Sequence, residues 1–99
     1  MKCGLLVRLK AKSGKELAVE KFITGALPLA VEEPKTTTWY AIKIDSVTFG
    51  IFDTFPDEEG RDAHLGGKIA EALMAQAPEL LDEEPVIEKI DVLAVKMAT

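Results

Sequence analysis

Apolar and polar residues alternate from Cys3 to Lys10, with Leu5, Val7 and Leu9 on one side and Leu6 and Arg8 on the other. A period of two predicts a strand, and Leu6 makes its second side partly apolar. Ser13-Gly14 marks a turn or cap, after which Leu17, Ala18, Phe22, Ile23 and Ala26 recur at helical spacing, with Lys15, Glu16, Glu20 and Lys21 on the wet side. This first helix is expected to run to about Leu27. Pro28 lacks a backbone donor and collides with the preceding turn, so residues 29–33 are expected as a kinked continuation or a separate short helical piece that Pro34 ends.

Two β-rich runs follow. In residues 36–44, Tyr40, Ile42 and Ile44 share one side and Trp39, Ala41 and Lys43 the other; in residues 47–54, Phe49 and Ile51 oppose Phe52. Asp45-Ser46 separates the runs, which predicts an antiparallel hairpin. A second helix is expected over residues 57–77, striped by Leu65, Ile69, Ala72, Leu73 and Gln76 and stopped by Pro78. Pro56 suits its first position, and Thr54 or Asp57 would cap it. Gly60, Gly66 and Gly67 are odd inside a helix, where each costs about 0.5–1 kcal/mol relative to alanine. Either the backbone there approaches the sheet, a partner or a ligand closely, or the first turn frays. After an acidic connector, residues 87–97 read as a last strand, apolar on both sides through Ile90, Val92 and Ala94 against Leu93 and Val95.

The order βαββαβ is the signature of a ferredoxin-like α+β sandwich, with an antiparallel four-stranded sheet and helices on one face. The other face is apolar too, and the simplest cover is the same face of a second copy about a two-fold axis. A homodimer is therefore expected.

Composition narrows the partners. Ninety-nine residues with 47% hydrophobic content suit one domain, spanning residues 1–99, around one core. A net charge of −5 repels nucleic acid and anionic membrane surfaces, so neither is expected as a partner. Cys3 is the single cysteine, which excludes an internal disulfide and agrees with a reducing compartment; a cytoplasmic protein is expected. Lys2, Arg8, Lys10 and Lys12 interrupt the apolar residues near the start, so no signal peptide is expected, and no run approaches membrane-spanning length.

The unusual chemistry gathers where the third strand meets the second helix, in Phe49, Phe52, Asp53, Arg61 and the sole histidine, His64. A functional pocket is expected there. An ideal wheel of about 100° per residue sets His64 off the Leu65–Ile69–Leu73 stripe, beside Arg61 and Lys68, so a solvated flank is its plain alternative. Arg61 either neutralises an anionic ligand or pairs with Asp57, Glu58 and Asp62 at the surface. Asp53 shares a side with Phe49 and Ile51, where an unpaired carboxylate is costly. It either orients His64 or pairs across a dimer, or else it reaches water or caps the helix. Trp39 and Phe52 are candidates to wall an aromatic ligand or an interface, and Phe49 is read as core. One histidine, one distant cysteine and scattered carboxylates give no metal-ligand spacing. Neither a phosphate-binding glycine loop nor a nucleophile elbow is present.

Three stretches, Glu33-Pro-Lys-Thr-Thr-Thr-Trp39, Thr48 to Leu65 and Ile90 to Lys96, together resemble the antibiotic biosynthesis monooxygenase domain family over almost the whole chain. The resemblance implies ferredoxin-like protomers paired into a dimeric α+β barrel. Some members oxidise quinol or polyketide-like aromatics with oxygen and no metal, flavin or other bound cofactor, while others have no known reaction. The chain is similar to a bacterial subgroup of small stand-alone proteins with a glutamate-proline-glycine-threonine turn before the second strand; Lys35 stands here in place of that glycine. A histidine early in the second helix recurs in the family and is matched by His64, whereas the tryptophan and asparagine placements of its best-studied oxygenases are not clearly matched. The resemblance thus makes His64 the candidate general base toward a phenol or quinol, since an ordinary pKa near 6.5 leaves both its forms accessible. Trp39, Phe52, Asp53 and Arg61 are the candidate substrate-binding residues, with no cofactor and no metal. The alternative is a non-enzymatic small-molecule-binding or stress-response module on the same barrel. An enzyme predicts a closed cavity with His64 pointing in; a module of the second kind predicts a filled core with His64 pointing out.

Overall fold

The computed structural model describes residues 2–98. Strand β1 (Cys3–Lys10) leads to helices α1 (Glu16–Gly25) and α2 (Leu27–Val31), strands β2 (Thr38–Lys43) and β3 (Thr48–Phe55), helices α3 (Glu58–Leu65) and α4 (Lys68–Leu80), and strand β4 (Val86–Asp91). The strands form one sheet in the order β2-β3-β1-β4, and every neighbouring pair is antiparallel. This is the ferredoxin-like α+β fold that the pattern predicts.

Register decides which side of the sheet is core. Pairing Leu5 with Asp53, Val7 with Ile51 and Leu9 with Phe49 puts the odd-numbered residues of β1 and β3 on one side. Val7, Leu9, Phe49 and Ile51 meet Val19 and Ile23 of α1 and Leu73 and Ala77 of α4 there, so the helices cover that face. On the opposite side Leu6, Ile42 and Phe52 are half-buried and Tyr40 is exposed. The β2–β3 hairpin forms as predicted: Asp45 Oδ1 accepts the backbone N–H groups of Val47 at 3.0 Å and Thr48 at 2.8 Å, fixing the turn. Gly14 takes a left-handed φ of 86° in the turn after β1, a conformation without steric cost in glycine.

The second helix departs from expectation. It is two helices, because Gly66 and Gly67 lie between α3 and α4 rather than inside one continuous helix. Asp57 caps α3, its Oδ1 accepting Gly60 N–H at 2.8 Å, and Pro56 lies before the cap. Pro78 does not stop α4 but sits within its last turn. The helix ends two residues later, where Leu81 bridges to Ala11, Lys12 N–H donates to Leu80 O at 2.9 Å and Asp82 N–H to Lys10 O at 2.8 Å. A sheet-like pairing with the end of β1 thus takes over the chain. Pro28 occupies the first turn of α2, which makes 27–31 the separate helical piece. Strand β4 stops at Asp91, short of the expected 97, and beyond it Leu93 is 94% exposed.

Candidate functional site

Three elements deliver one polar cluster into an otherwise apolar end of the sheet. Asp53 lies on the helix-facing side of β3, between Leu5 of β1 and Trp39 of β2, and has no exposed surface. His64 belongs to α3, whose buried face is Gly60, Arg61 and His64. That face follows the spacing of a single helical turn. Glu33 comes from the turn after α2, ahead of Pro34. Beside them Cys3, Leu5 and Phe55 form a small apolar cluster, and the Phe55 ring lies 5.3 Å from the imidazole, centroid to centroid.

The imidazole is held between two carboxylates. Nε2 stands 2.9 Å from Asp53 Oδ2, and Nδ1 stands 2.6 Å from Glu33 Oε1. The Asp53 contact is a charge contact off the line of a hydrogen bond, for neither Asp53 oxygen has an aligned donor. Glu33 Oε1 also accepts the Thr36 hydroxyl at 2.7 Å, which ties the turn to the histidine. Burial disfavours the imidazolium, but the contacts with Asp53 and Glu33 outweigh it and raise the His64 pKa above its ordinary 6.5. Both ring nitrogens face separate carboxylates, so the three side chains do not converge on a common point. Among the described residues no group of three His, Cys, Asp or Glu has the arrangement of a metal site.

His64 and Glu33 also form part of the wall of a cleft of ≈460 Å³, which runs between the turn after α2 and the α3–α4 junction. Its wall is mainly apolar, through Leu29, Pro34 and Ala63, with charge from Glu32 and Lys68 and from Lys35, whose ammonium is paired with Glu59 at 3.0 Å. Gly67 is a close-approach glycine in this wall: a Cβ there would lie 3.2 Å from His64 O and 3.3 Å from Glu33 Oε2. The helix break and the seat for Glu33 therefore coincide. Of the two readings of the glycines, close approach holds at Gly67.

The candidate residues separate. Asp53 and His64 are together, with Asp53 facing the imidazole rather than capping a helix or reaching water. Trp39 pairs across the sheet with Asp53 and packs against the core, half-buried, and its indole N–H is buried without an acceptor. It lines a different, smaller cleft of ≈280 Å³ with Leu27, Val31 and Thr36. Phe52 is on the other side of the sheet, stacked on Tyr40 with centroids 6.2 Å apart. Arg61 is buried, and of the acidic partners expected for it Glu58 lies beside it. Its guanidinium donates to Gly4 O at 3.4 Å and Ile90 O at 3.3 Å and lies 3.5 Å from Glu58, so it fastens α3 to β1 and β4. Glu33 is the residue that sequence reasoning missed. Its signal was the glutamate-proline turn, which gives no indication of what the carboxylate meets.

Among the described residues no helix is long and apolar enough to cross a membrane. No family model matches the sequence, and no curated protein matches it. Solved structures do. The NE2512 protein of unknown function from Nitrosomonas europaea is 53% identical over 99% of this chain and 95% of its own, with a TM-score of 0.95. Rv0793 from Mycobacterium tuberculosis is 14% identical over the full length of both chains, with a TM-score of 0.80. An antibiotic biosynthesis monooxygenase is 13% identical over 93% of this chain and 99% of its own, with a TM-score of 0.79. The last two likenesses are likenesses of fold. The chain belongs to one family with the Nitrosomonas europaea NE2512 protein, and that family has the fold of the antibiotic biosynthesis monooxygenases.

Proposed function

We propose that the protein is a cofactor-independent monooxygenase of small aromatic, quinol-like substrates, working as a cytoplasmic homodimer, with His64 at the centre of its proton handling. The observation that carries this reading is the seat of His64: a buried imidazole clamped by two carboxylates on the wall of a mainly apolar cleft of ≈460 Å³. Cofactor-free oxygenation begins by removing a hydroxyl proton, which leaves an electron-rich anion able to pass one electron to dioxygen. The protein then has to supply a proton acceptor, exclusion of water and stabilisation of negative charge. The cleft is open to solvent rather than the closed cavity expected of an enzyme; it offers an acidic and imidazole wall from Glu32, Glu33 and His64, apolar surroundings and the cation of Lys68, Lys35 being paired with Glu59 at 3.0 Å. Its size suits a single aromatic ring, being within the usual range of about 300–1,000 Å³ for ligand sites.

Oxygen uptake with hydroquinones tests the proposal. The wild-type protein is expected to consume oxygen in proportion to substrate, and His64→Ala to lower kcat by about 10²–10⁴, the usual contribution of a positioned acid–base group. No uptake with any hydroquinone would overturn it. One observation favours a second reading, a non-enzymatic binding module: both imidazole nitrogens already face carboxylates, as in a built structural pair. That reading expects ligand binding at the same cleft without oxygen uptake.

A further inference from the structure

We infer that Glu33 is the group in the cleft that accepts a hydroxyl proton from an aromatic ligand, with His64 and Asp53 holding and balancing it from behind; this rests on the proton-abstracting reading above. Nδ1 is hydrogen-bonded to Glu33 at 2.6 Å and Nε2 lies 2.9 Å from the fully buried Asp53, so each ring nitrogen faces a carboxylate rather than a ligand. The two oxygens of Glu33 differ. Oε1 meets the imidazole and the Thr36 hydroxyl, while Oε2 has no hydrogen-bond partner among the described residues and lies over Gly67, itself part of the cleft wall. Exposure rises along the set, from 0% for the Asp53 side chain through 8% for His64 to 21% for Glu33. Glu33 is therefore the member that a ligand reaches.

The step is a proton transfer alone. The ligand O–H bond breaks and its electron pair stays on the ligand oxygen as an aryloxide, while the proton forms an O–H bond on Glu33 Oε2. Glu33 becomes neutral and one negative charge moves onto the ligand, in a wall that carries His64 and Lys68, while Lys35 is already paired with Glu59 at 3.0 Å. Total charge in the site is unchanged, and no oxidant is needed. A ligand that lacks the hydroxyl loses the charge-assisted hydrogen bond to Oε2.

Calorimetric titration with phenol and with anisole, its methyl ether, tests this. The wild type is expected to bind phenol at least about tenfold more tightly than anisole, the size of one hydrogen bond to a charged group. Glu33→Gln, which keeps the shape but removes the charge, is expected to bring that ratio down to about threefold or less, since neutral hydrogen bonds are roughly half as strong. Gly67→Ala keeps every charge and places a methyl 3.3 Å from Oε2. It is expected to lower the phenol-to-anisole ratio, the methyl also lying 3.2 Å from His64 O in the wall that both ligands share, and that ratio decides the matter if Glu33→Gln does not fold. Absence of phenol binding, a wild-type ratio near one, or a ratio unchanged in the folded variants would overturn the inference. Oxygen uptake with hydroquinone on the same proteins separates the two readings. Glu33-dependent hydroxyl selectivity without uptake removes the oxygenase and leaves this inference standing. Uptake that survives Glu33→Gln undiminished does the reverse.

Discussion

His64 Nε2 stands 2.9 Å from Asp53 Oδ2, and this contact joins helix α3 to a position of β3 that has no exposed surface. Asp53 is fully buried and His64 Nε2 is the group beside it, so the imidazole balances its charge when protonated. Removing one partner of a buried pair leaves the other uncompensated in a medium that solvates it poorly, at about 3–5 kcal/mol.

Double substitution exposes that coupling. His64→Ala strands the buried carboxylate and is expected to lower stability by about 3–5 kcal/mol in urea unfolding. Asp53→Asn/His64→Ala is expected to be more stable than the sum of the single losses implies, by about 0.5–3 kcal/mol. Strict additivity would mean that the contact contributes nothing.

Stability should also depend on pH in a fixed direction. The folded-state pKa of His64 is raised above 6.5, so folding binds a proton that the unfolded chain releases earlier. The stability contributed by the charged imidazole is fully present below about 6.5 and is lost as pH rises through the folded-state value. Asp53 from β3 and Glu33 from the turn after α2 are the carboxylates facing the ring. Denaturation midpoints are expected to fall on the alkaline side of 6.5 in the wild type, with a smaller fall in Asp53→Asn, where burial is opposed by Glu33 alone. A midpoint that rises with pH over that window in the wild type but not in Asp53→Asn would contradict the assigned charge.

Two glycines set a contrast. A Cβ on Gly4 would lie 2.5 Å from Asp53 O, a backbone atom of the neighbouring strand, and Gly4 O receives Arg61. Gly4→Ala is therefore expected to cost about 1–3 kcal/mol by forcing β1 and β3 apart. Gly25, the last residue of α1, has nothing within 4 Å of its added Cβ and no positive φ. Gly25→Ala is expected to stabilise by about 0.4–1 kcal/mol through the unfolded chain. Thermal unfolding of the two variants side by side checks both signs.

The contrast between periodic and non-periodic signals explains what the sequence revealed. Strand alternation in Leu5–Leu9 and Phe49–Ile51 and the Asp45-Ser46 turn are readable because each reports on its own neighbours, and they yield the βαββαβ order and the sharing of one side by Asp53, Phe49 and Ile51. The same logic sets His64 off the apolar stripe, where a solvated flank is its alternative. A wheel drawn through Leu65, Ile69 and Leu73 assumes one continuous helix, but the chain breaks at Gly66-Gly67, and α3 buries Gly60, Arg61 and His64 while α4 buries Ile69, Leu73 and Ala77. Phase does not carry across the break. Glu33 has no periodic partner at all, and its place beside His64, 31 positions away, exists only in the folded chain. Phe52 is read as the wall of an aromatic pocket or of an interface, and the two-residue period that sets it opposite Phe49 puts it on the far side of the sheet from Asp53, away from the His64 cleft.

That far side carries the last prediction. Leu6, Ile42 and Phe52 lie half-buried there and Tyr40 exposed, with Tyr40 and Phe52 stacked, so the face offers water a connected apolar surface of the kind that marks interaction sites. A second copy is the occupant that suits it. In a two-fold pairing the face meets itself, which disfavours any patch of single-sign charge, and here Arg8 and Glu88 neutralise each other at 3.2 Å. Sedimentation equilibrium of the wild type is expected to give about twice the 10.8 kDa chain mass. Phe52→Glu places a carboxylate against its own symmetry mate in such a pair and is expected to give the single-chain mass, with the α3 site on the opposite side of the sheet left in place. A monomeric wild type, or a Phe52→Glu protein that still sediments at twice the chain mass, would rule out pairing through this face.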